Sequence, residues 1–156
     1  MAGLMDLRPG ATLPGGATVL GAVQVRSATQ RWAEYLLTGG TGGATLWLAV
    51  ESLPDGTERS SYWHRSTARA AGFDPDLPTL DGQLLTVVER GDGEYRAVGE
   101  FGGLPGLRAG TGRLHYVDYT GPGLRASLEH FRPTDHDGLD GFDSPGLLGV
   151  EARPPA

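Results

Sequence analysis

Leu84-Leu85-Thr86-Val87-Val88-Glu89-Arg90-Gly91-Asp92-Gly93-Glu94-Tyr95-Arg96-Ala97-Val98-Gly99-Glu100-Phe101 is the stretch of this 156-residue chain whose pattern decides the fold class. In its second part Tyr95, Ala97, Gly99 and Phe101 alternate with Glu94, Arg96, Val98 and Glu100. One face is mostly apolar and the other mostly charged, the period of two of a half-buried strand. The first part, Leu84 to Glu89, is apolar on both faces and β-branched at its centre. Gly91-Asp92-Gly93 stands between the parts, and glycine supplies the positive φ that tight hairpins require. The stretch therefore predicts a hairpin over 84–101.

The same pattern recurs on either side. Val19–Val25 pairs with Arg31–Leu37, and Leu46–Glu51 with Thr57–Trp63 across Pro54-Asp55-Gly56. Arg113–Tyr119 pairs with Leu124–Phe131 across Gly121-Pro122-Gly123, and Gly39-Gly40-Thr41-Gly42-Gly43 reads as a flexible hairpin loop. Helix signals reduce to Ser66–Gly72, with Ser66 as N-cap and Gly72 as stop, about two turns linking the halves. Asp74–Pro78 reads as an irregular connector, and the tail 151–156, ending in Pro-Pro, as frayed. The predicted fold is all-β in one domain. Two pseudo-repeated antiparallel β-meander halves, about 8–65 and 84–150, pack as a sandwich or open barrel.

The repeat rests on two segments. Trp32-Ala33-Glu34-Tyr35, a Gly-rich loop and Leu46-Trp47-Leu48-Ala49-Val50-Glu51 are echoed further on. The echo is Tyr116-Val117-Asp118-Tyr119, a Gly-Pro-Gly loop and Leu124-Arg125-Ala126-Ser127-Leu128-Glu129. Each half reads aromatic-x-acid-Tyr, hairpin loop, alternating strand, Glu, which points to duplication. Tyr35 shares a face with Ala33 and Leu37, and Tyr119 with Val117, so both tyrosines are expected in the core.

These residues carry a resemblance. The W-x-E-Y and L-W-L-x-V-E pieces, Asp118-Tyr119 and the strand ending at Glu129 resemble the bacterial family called domain of unknown function 4178. The opening Arg8-Pro9-Gly10 is similar to that family's L-x-x-G-D entry, with Ala11 in place of the acid. The resemblance spans roughly Leu7 to Val150. It implies a β-rich cytoplasmic domain with no assigned reaction. Members are often encoded beside envelope-stress proteins of the phage-shock type and polyamine-handling enzymes, which implies an accessory role near the membrane.

Composition narrows the function classes. The net charge is −6, and all 13 basic residues are Arg. A polyanion binder needs a basic face for phosphate neutralisation, and no basic cluster stands out along the chain, so nucleic acid is not an expected partner. The same deficit argues against anionic membrane surfaces, and no apolar run approaches the roughly 20 residues that span a bilayer. Without Cys there are no disulfides, thiolate nucleophiles or sulfur-ligated metals. Met1 to Gly16 lacks the basic-then-apolar pattern of a signal peptide, so a cytoplasmic location is expected. Absence of Lys, Asn and Ile beside abundant Ala, Gly, Arg and Pro reads as the codon bias of a GC-rich bacterium.

Catalytic and metal motifs are weak. His64, His115, His130 and His136 have no metal-ligand spacing and read as surface or structural histidines. Asp135, Asp137, Asp140 and Asp143 share one Gly-bearing loop, but an EF-hand needs an oxygen ligand where Leu139 sits and a Glu where Gly146 sits. A solvated acidic loop is the expectation. Gly110-Thr111-Gly112 precedes a strand, not the helix a phosphate cradle needs. Glu34 with Glu51, and Asp118 with Glu129, are candidate acid/base pairs, set against exposed carboxylates pairing with Arg31 or Arg125. Trp32 reads as core. Trp47, on the face of Ala49 and Glu51 and opposite Leu46, Leu48 and Val50, reads as an exposed binding anchor.

The expected function is a non-catalytic binding or scaffold domain. It engages another protein through an aromatic-acidic sheet surface made of Trp47, Glu51, Glu129, Glu34 and Asp118. The alternative is a small-molecule binder or hydrolase-like enzyme with its site between the halves, using Glu51 and Glu129. No catalytic residue, metal ligand or cofactor is assigned.

Overall fold

The computed structural model describes residues 3–40, 44–104, 106–134 and 146–153. The acidic loop at 135–143 and His136 lie outside the described residues. Eight strands close into an antiparallel barrel in which each strand pairs with two neighbours. A four-stranded meander, β1 (Val19–Arg26), β2 (Arg31–Leu37), β3 (Thr45–Ser52) and β4 (Glu58–Ser66), forms one side. A short helix α1 (Thr67–Ala71) and a minimal hairpin, β5 (Thr79–Leu80) and β6 (Gln83–Leu84), cross to the second meander. That meander comprises β7 (Thr86–Gly99), β8 (Gly110–Gly121), β9 (Leu124–Pro133) and β10 (Leu147–Ala152). It wraps the opposite way, so β1 meets β7 and β4 meets β10. Closure leaves the eight-stranded sheet without edges, which a sandwich or open barrel would leave to be protected.

The helix forms where its caps predict. Ser66 accepts a hydrogen bond from the Arg69 amide, and the Gly72 amide donates back to Ala68. Two other expectations are corrected. The stretch 84–101 is no hairpin: β7 runs unbroken through Gly91-Asp92-Gly93, and neither glycine has a positive φ. Close approach explains these glycines. A Cβ on Gly91 would lie 2.8 Å from the Tyr116 hydroxyl, and one on Gly93 3.0 Å from Val25. The first two tail residues expected to fray, Glu151 and Ala152, are paired in β10 opposite Trp63 and Tyr62.

Alternation along the strands creates an inside and an outside. Inside, Val23, Leu36, Trp47, Leu114, Phe131 and Leu147 form an apolar core at one end of the barrel. Phe101, Leu104 and Leu107, from the β7–β8 connection, plug that end. The outside is covered in two places. The N-terminal segment, with the 3₁₀ turn at Leu4–Asp6, lays Met5 and Leu13 over Tyr35, Leu46, Leu48 and Val50. The Tyr35 hydroxyl donates to the Leu4 carbonyl at 2.5 Å and accepts from the Leu7 amide at 3.2 Å. On the second meander Ala70, Phe73 and Leu85 cover Val117, Tyr119 and Leu128, with Phe73 edge-on to Tyr119 at 5.3 Å. Tyr35 and Tyr119 are thus both buried, beneath these covering segments.

Cross-strand register also builds a feature that chain order hides. Arg31, Arg26, Glu94, Arg113 and Arg132 align in one row across β2, β1, β7, β8 and β9. Register thus gathers four arginines far apart in sequence, with Glu94 among them. Among the described residues no helix is long and apolar enough to cross a membrane.

Candidate functional site

The end of the barrel opposite the plug is different in character. Between the two meanders a cavity of about 230 Å³ opens at this end. Trp32 from β2, Trp63 from β4 and Tyr116 from β8 form its aromatic walls. They project inward because they occupy the same alternating positions as the apolar core below. Trp32 and Tyr116 meet edge to face at 5.4 Å.

Arg65, on β4, is the centre of the polar floor and is almost fully buried. Its Nη1 donates to Glu34 Oε1 at 2.5 Å and lies 3.0 Å from Glu129 Oε1. The second contact has ion-pair distance without hydrogen-bond alignment, so Glu129 Oε1 is buried with no hydrogen-bonding partner. Trp32 Nε1 donates to the other oxygen of Glu34 at 2.7 Å. The Arg65 guanidinium sits 4.6 Å above the Trp47 ring, a cation–π contact in a desolvated place. Gly149 makes room for it, since a Cβ there would lie 3.1 Å from Arg65 Cγ and 3.3 Å from Nε.

The two carboxylates around Arg65 titrate in opposite directions. Burial pulls the Glu34 carboxyl upward, but the Arg65 charge and hydrogen bonds from Glu129, Trp32 and Arg65 prevail and hold it below its usual range. Glu129 is pushed well above the usual range by burial, against the pull of Arg65 and with the repulsion of Glu34 and Asp118. Asp118 is raised by burial and by Glu89 and Glu34, against a hydrogen bond from Ser127 opposite it on β9. Tyr116 is pushed up to about 12 by burial and the nearby Glu89 and Asp118.

The rim is held by exposed ion pairs. Glu51 bonds Arg59 at 2.5 Å, and Arg125 bonds Glu151 at 2.5 Å while lying 5.5 Å over the Trp63 ring. Glu89 accepts from Gln30 at 3.1 Å and from the Tyr116 hydroxyl at 3.3 Å.

Of the five residues singled out from sequence, Glu34, Asp118 and Glu129 converge in the cavity and Glu51 stands at its rim. Trp47 is corrected: it is no exposed anchor but has no exposed surface at all, and it lies in the core beneath the cavity. The partners expected for the carboxylates, Arg31 and Arg125, give way to Arg65 for Glu34 and Glu129. Arg65 was missed. Its signal is the alternation Ser61, Trp63, Arg65, which puts an arginine on the tryptophan side of β4.

Glu129→Gln is expected to change the pH dependence of stability. A carboxyl with a raised folded-state pKa keeps its proton from the unfolded value near 4.5 upward. The folded state then binds more protons than the unfolded one, and stability falls as pH rises through that window. Gln retains the shape and a donor toward Glu34 without the titration. The variant should match wild type below pH 4.5 and exceed it at pH 8, by about 1.4 kcal/mol per unit of upward shift. Urea unfolding across pH checks this, and a variant less stable at pH 8 refutes it.

A family model described as Domain of unknown function (DUF4178) matches residues 17–141, covering both meanders except β10. No curated protein and no solved structure matches the chain. The matched span takes in every strand that lines the cavity, and on its extent the chain belongs to the DUF4178 family.

Proposed function

We propose that this barrel is a small-molecule-binding protein and that the cavity between its two halves is the ligand site. The observation that carries the reading is the polar, aromatic-walled cavity at one end of an otherwise apolar barrel interior. An eight-stranded barrel has an interior wide enough to hold one small ligand when side chains do not fill it. Burying charged groups is costly, and a core meant only for stability is better built from apolar residues. A protein-docking surface centred on Trp47 loses its anchor, because that ring is not exposed.

Duplication of the halves belongs to the same proposal. Trp32 faces Glu51 across β2 and β3, and Tyr116 faces Glu129 across β8 and β9. Glu34 faces Ala49 as Asp118 faces Ser127, and Tyr35 faces Leu48 as Tyr119 faces Ala126. The sequence correspondence thus keeps its register in these three pairs. Each half supplies one aromatic and one acid to the cavity from the same strand positions.

The test is a panel of amines, carboxylic acids, sugars and nucleosides, read by tryptophan fluorescence and thermal shift. Trp32 and Trp63 line the cavity, so a bound ligand alters their emission. At least one class is expected to give a saturable response that Ala49→Phe, which fills the cavity, abolishes. Ser61→Leu serves the same purpose if Ala49→Phe does not fold. A response unchanged by both substitutions, or no response from any class, would sink the reading.

A further inference from the structure

Resting on that reading, we infer that the cavity takes a small primary ammonium compound, its charge and its N–H groups facing Asp118 and Glu89. The charge inventory comes first. Three arginines reach the cavity and all are engaged: Arg59 by Glu51, Arg125 by Glu151, and Arg65 by Glu34 and Glu129. Asp118 and Glu89 add two further carboxylates with no ion pair of their own among the described residues. Asp118 feels Arg125 from the rim but is repelled by Glu89 and Glu34. The cavity is thus short of positive charge, and the deficit is felt more at half-buried Asp118 than at exposed Glu89.

Aromatic surface strengthens the preference for a cation. Trp32 and Tyr116 stand beside these carboxylates, and ring faces attract ammonium groups. The type of cation follows from Asp118. Its half-buried carboxylate lines the cavity and takes a hydrogen bond from Ser127, and an ionised carboxyl has about four acceptor sites, so room is left for further N–H donors. A primary ammonium has three N–H groups to offer, and a quaternary ammonium has none. Size follows from the volume of about 230 Å³, below the roughly 300–1,000 Å³ of ordinary ligand pockets.

Four compounds that share a four-carbon chain separate these requirements: n-butylammonium, n-butyltrimethylammonium, butan-1-ol and butyrate, each titrated against the full chain by calorimetry and tryptophan fluorescence. Butylammonium is expected to bind at least tenfold more tightly than any of the other three. Asp118→Asn, which keeps the size and a hydrogen bond to Ser127, is expected to weaken it at least tenfold. Glu100→Gln, which removes the same charge outside the cavity beside the plug residue Phe101, should change it less than threefold. Equal binding of the trimethylammonium compound removes the donor requirement and overturns the inference. Preference for butanol or butyrate, or silence from all four, overturns the ligand class. The cavity reading then stands or falls separately, on whether another class in the wider panel responds.

Discussion

Trp47→Ala is expected to lower the unfolding free energy by about 3–5 kcal/mol, the usual cost of removing a large buried aromatic side chain. Trp47 has no exposed surface and stacks against Phe101 with ring centroids 6.4 Å apart and planes 18° from parallel. Phe101 belongs to the segment that plugs the apolar end of the barrel, so the truncation opens a void between plug and strands. It also removes the ring under Arg65 and the indole donor to Thr45 Oγ1 at 2.8 Å. Trp47→Phe keeps a ring in place and should cost less. Urea melts of the two variants measure both values. A loss within about 0.5 kcal/mol, as for surface positions, would mean that Trp47 does not hold the core.

The reasons this residue reads differently in sequence show how far the fold is legible. Alternation along β3 separates Thr45, Trp47, Ala49 and Glu51 from Leu46, Leu48 and Val50 correctly. The face richer in aliphatic residues would then be the inner one in a two-layer sheet. Here both faces are covered. Leu46, Leu48 and Val50 lie outside the barrel under the N-terminal segment, and the mixed face turns inward. Local period cannot tell inside from outside when a flanking segment covers the outside. The same limit explains Gly91 and Gly93, since a glycine beside a tyrosine ring and one in a turn look alike along the chain. Closure was not legible either. It depends on β1 meeting β7 and on β10 inserting between β4 and β9, contacts between residues far apart in sequence.

What was legible came from short-range grammar. Pairs β1–β2, β3–β4 and β8–β9 and the Ser66-capped helix follow from turn residues and alternation, which act over a few residues. The acids of the site were visible for a related reason: an identical aromatic-x-acid spacing in each half marks Glu34 and Asp118. Arg65, which lies between Glu34 and Glu129, was not, because it enters from β4, outside the two segments that match in sequence.

Arg65→Met should be among the most damaging substitutions in the protein and should be rescued by neutralising its neighbours. Removing one partner of a buried ion pair leaves an uncompensated charge, at a cost of about 3–5 kcal/mol. Here two carboxylates are bared together, because Arg65 serves both Glu34 and Glu129. The pH dependence follows from the sign of each shift. In the wild type Glu34 has a lowered pKa, so its contribution is present above the unfolded value of 4.5 and is lost as pH falls through the lower folded value. In the variant, burial and mutual repulsion act on both acids with no opposing cation, so both take up protons on folding. The deficit relative to wild type should be largest near neutral pH and should shrink as pH drops below 4.5, where carboxyls are neutral in either state. Adding Glu34→Gln and Glu129→Gln to Arg65→Met removes the bared charges at every pH. The triple variant should recover most of the loss, as buried ion pairs replaced by uncharged groups commonly do. Denaturant melts at pH 4 and pH 7.5 on the single and triple variants decide the matter. An Arg65→Met protein as stable as wild type at pH 7.5, or a deficit independent of pH, would show that the guanidinium is not what makes this acidic interior tolerable.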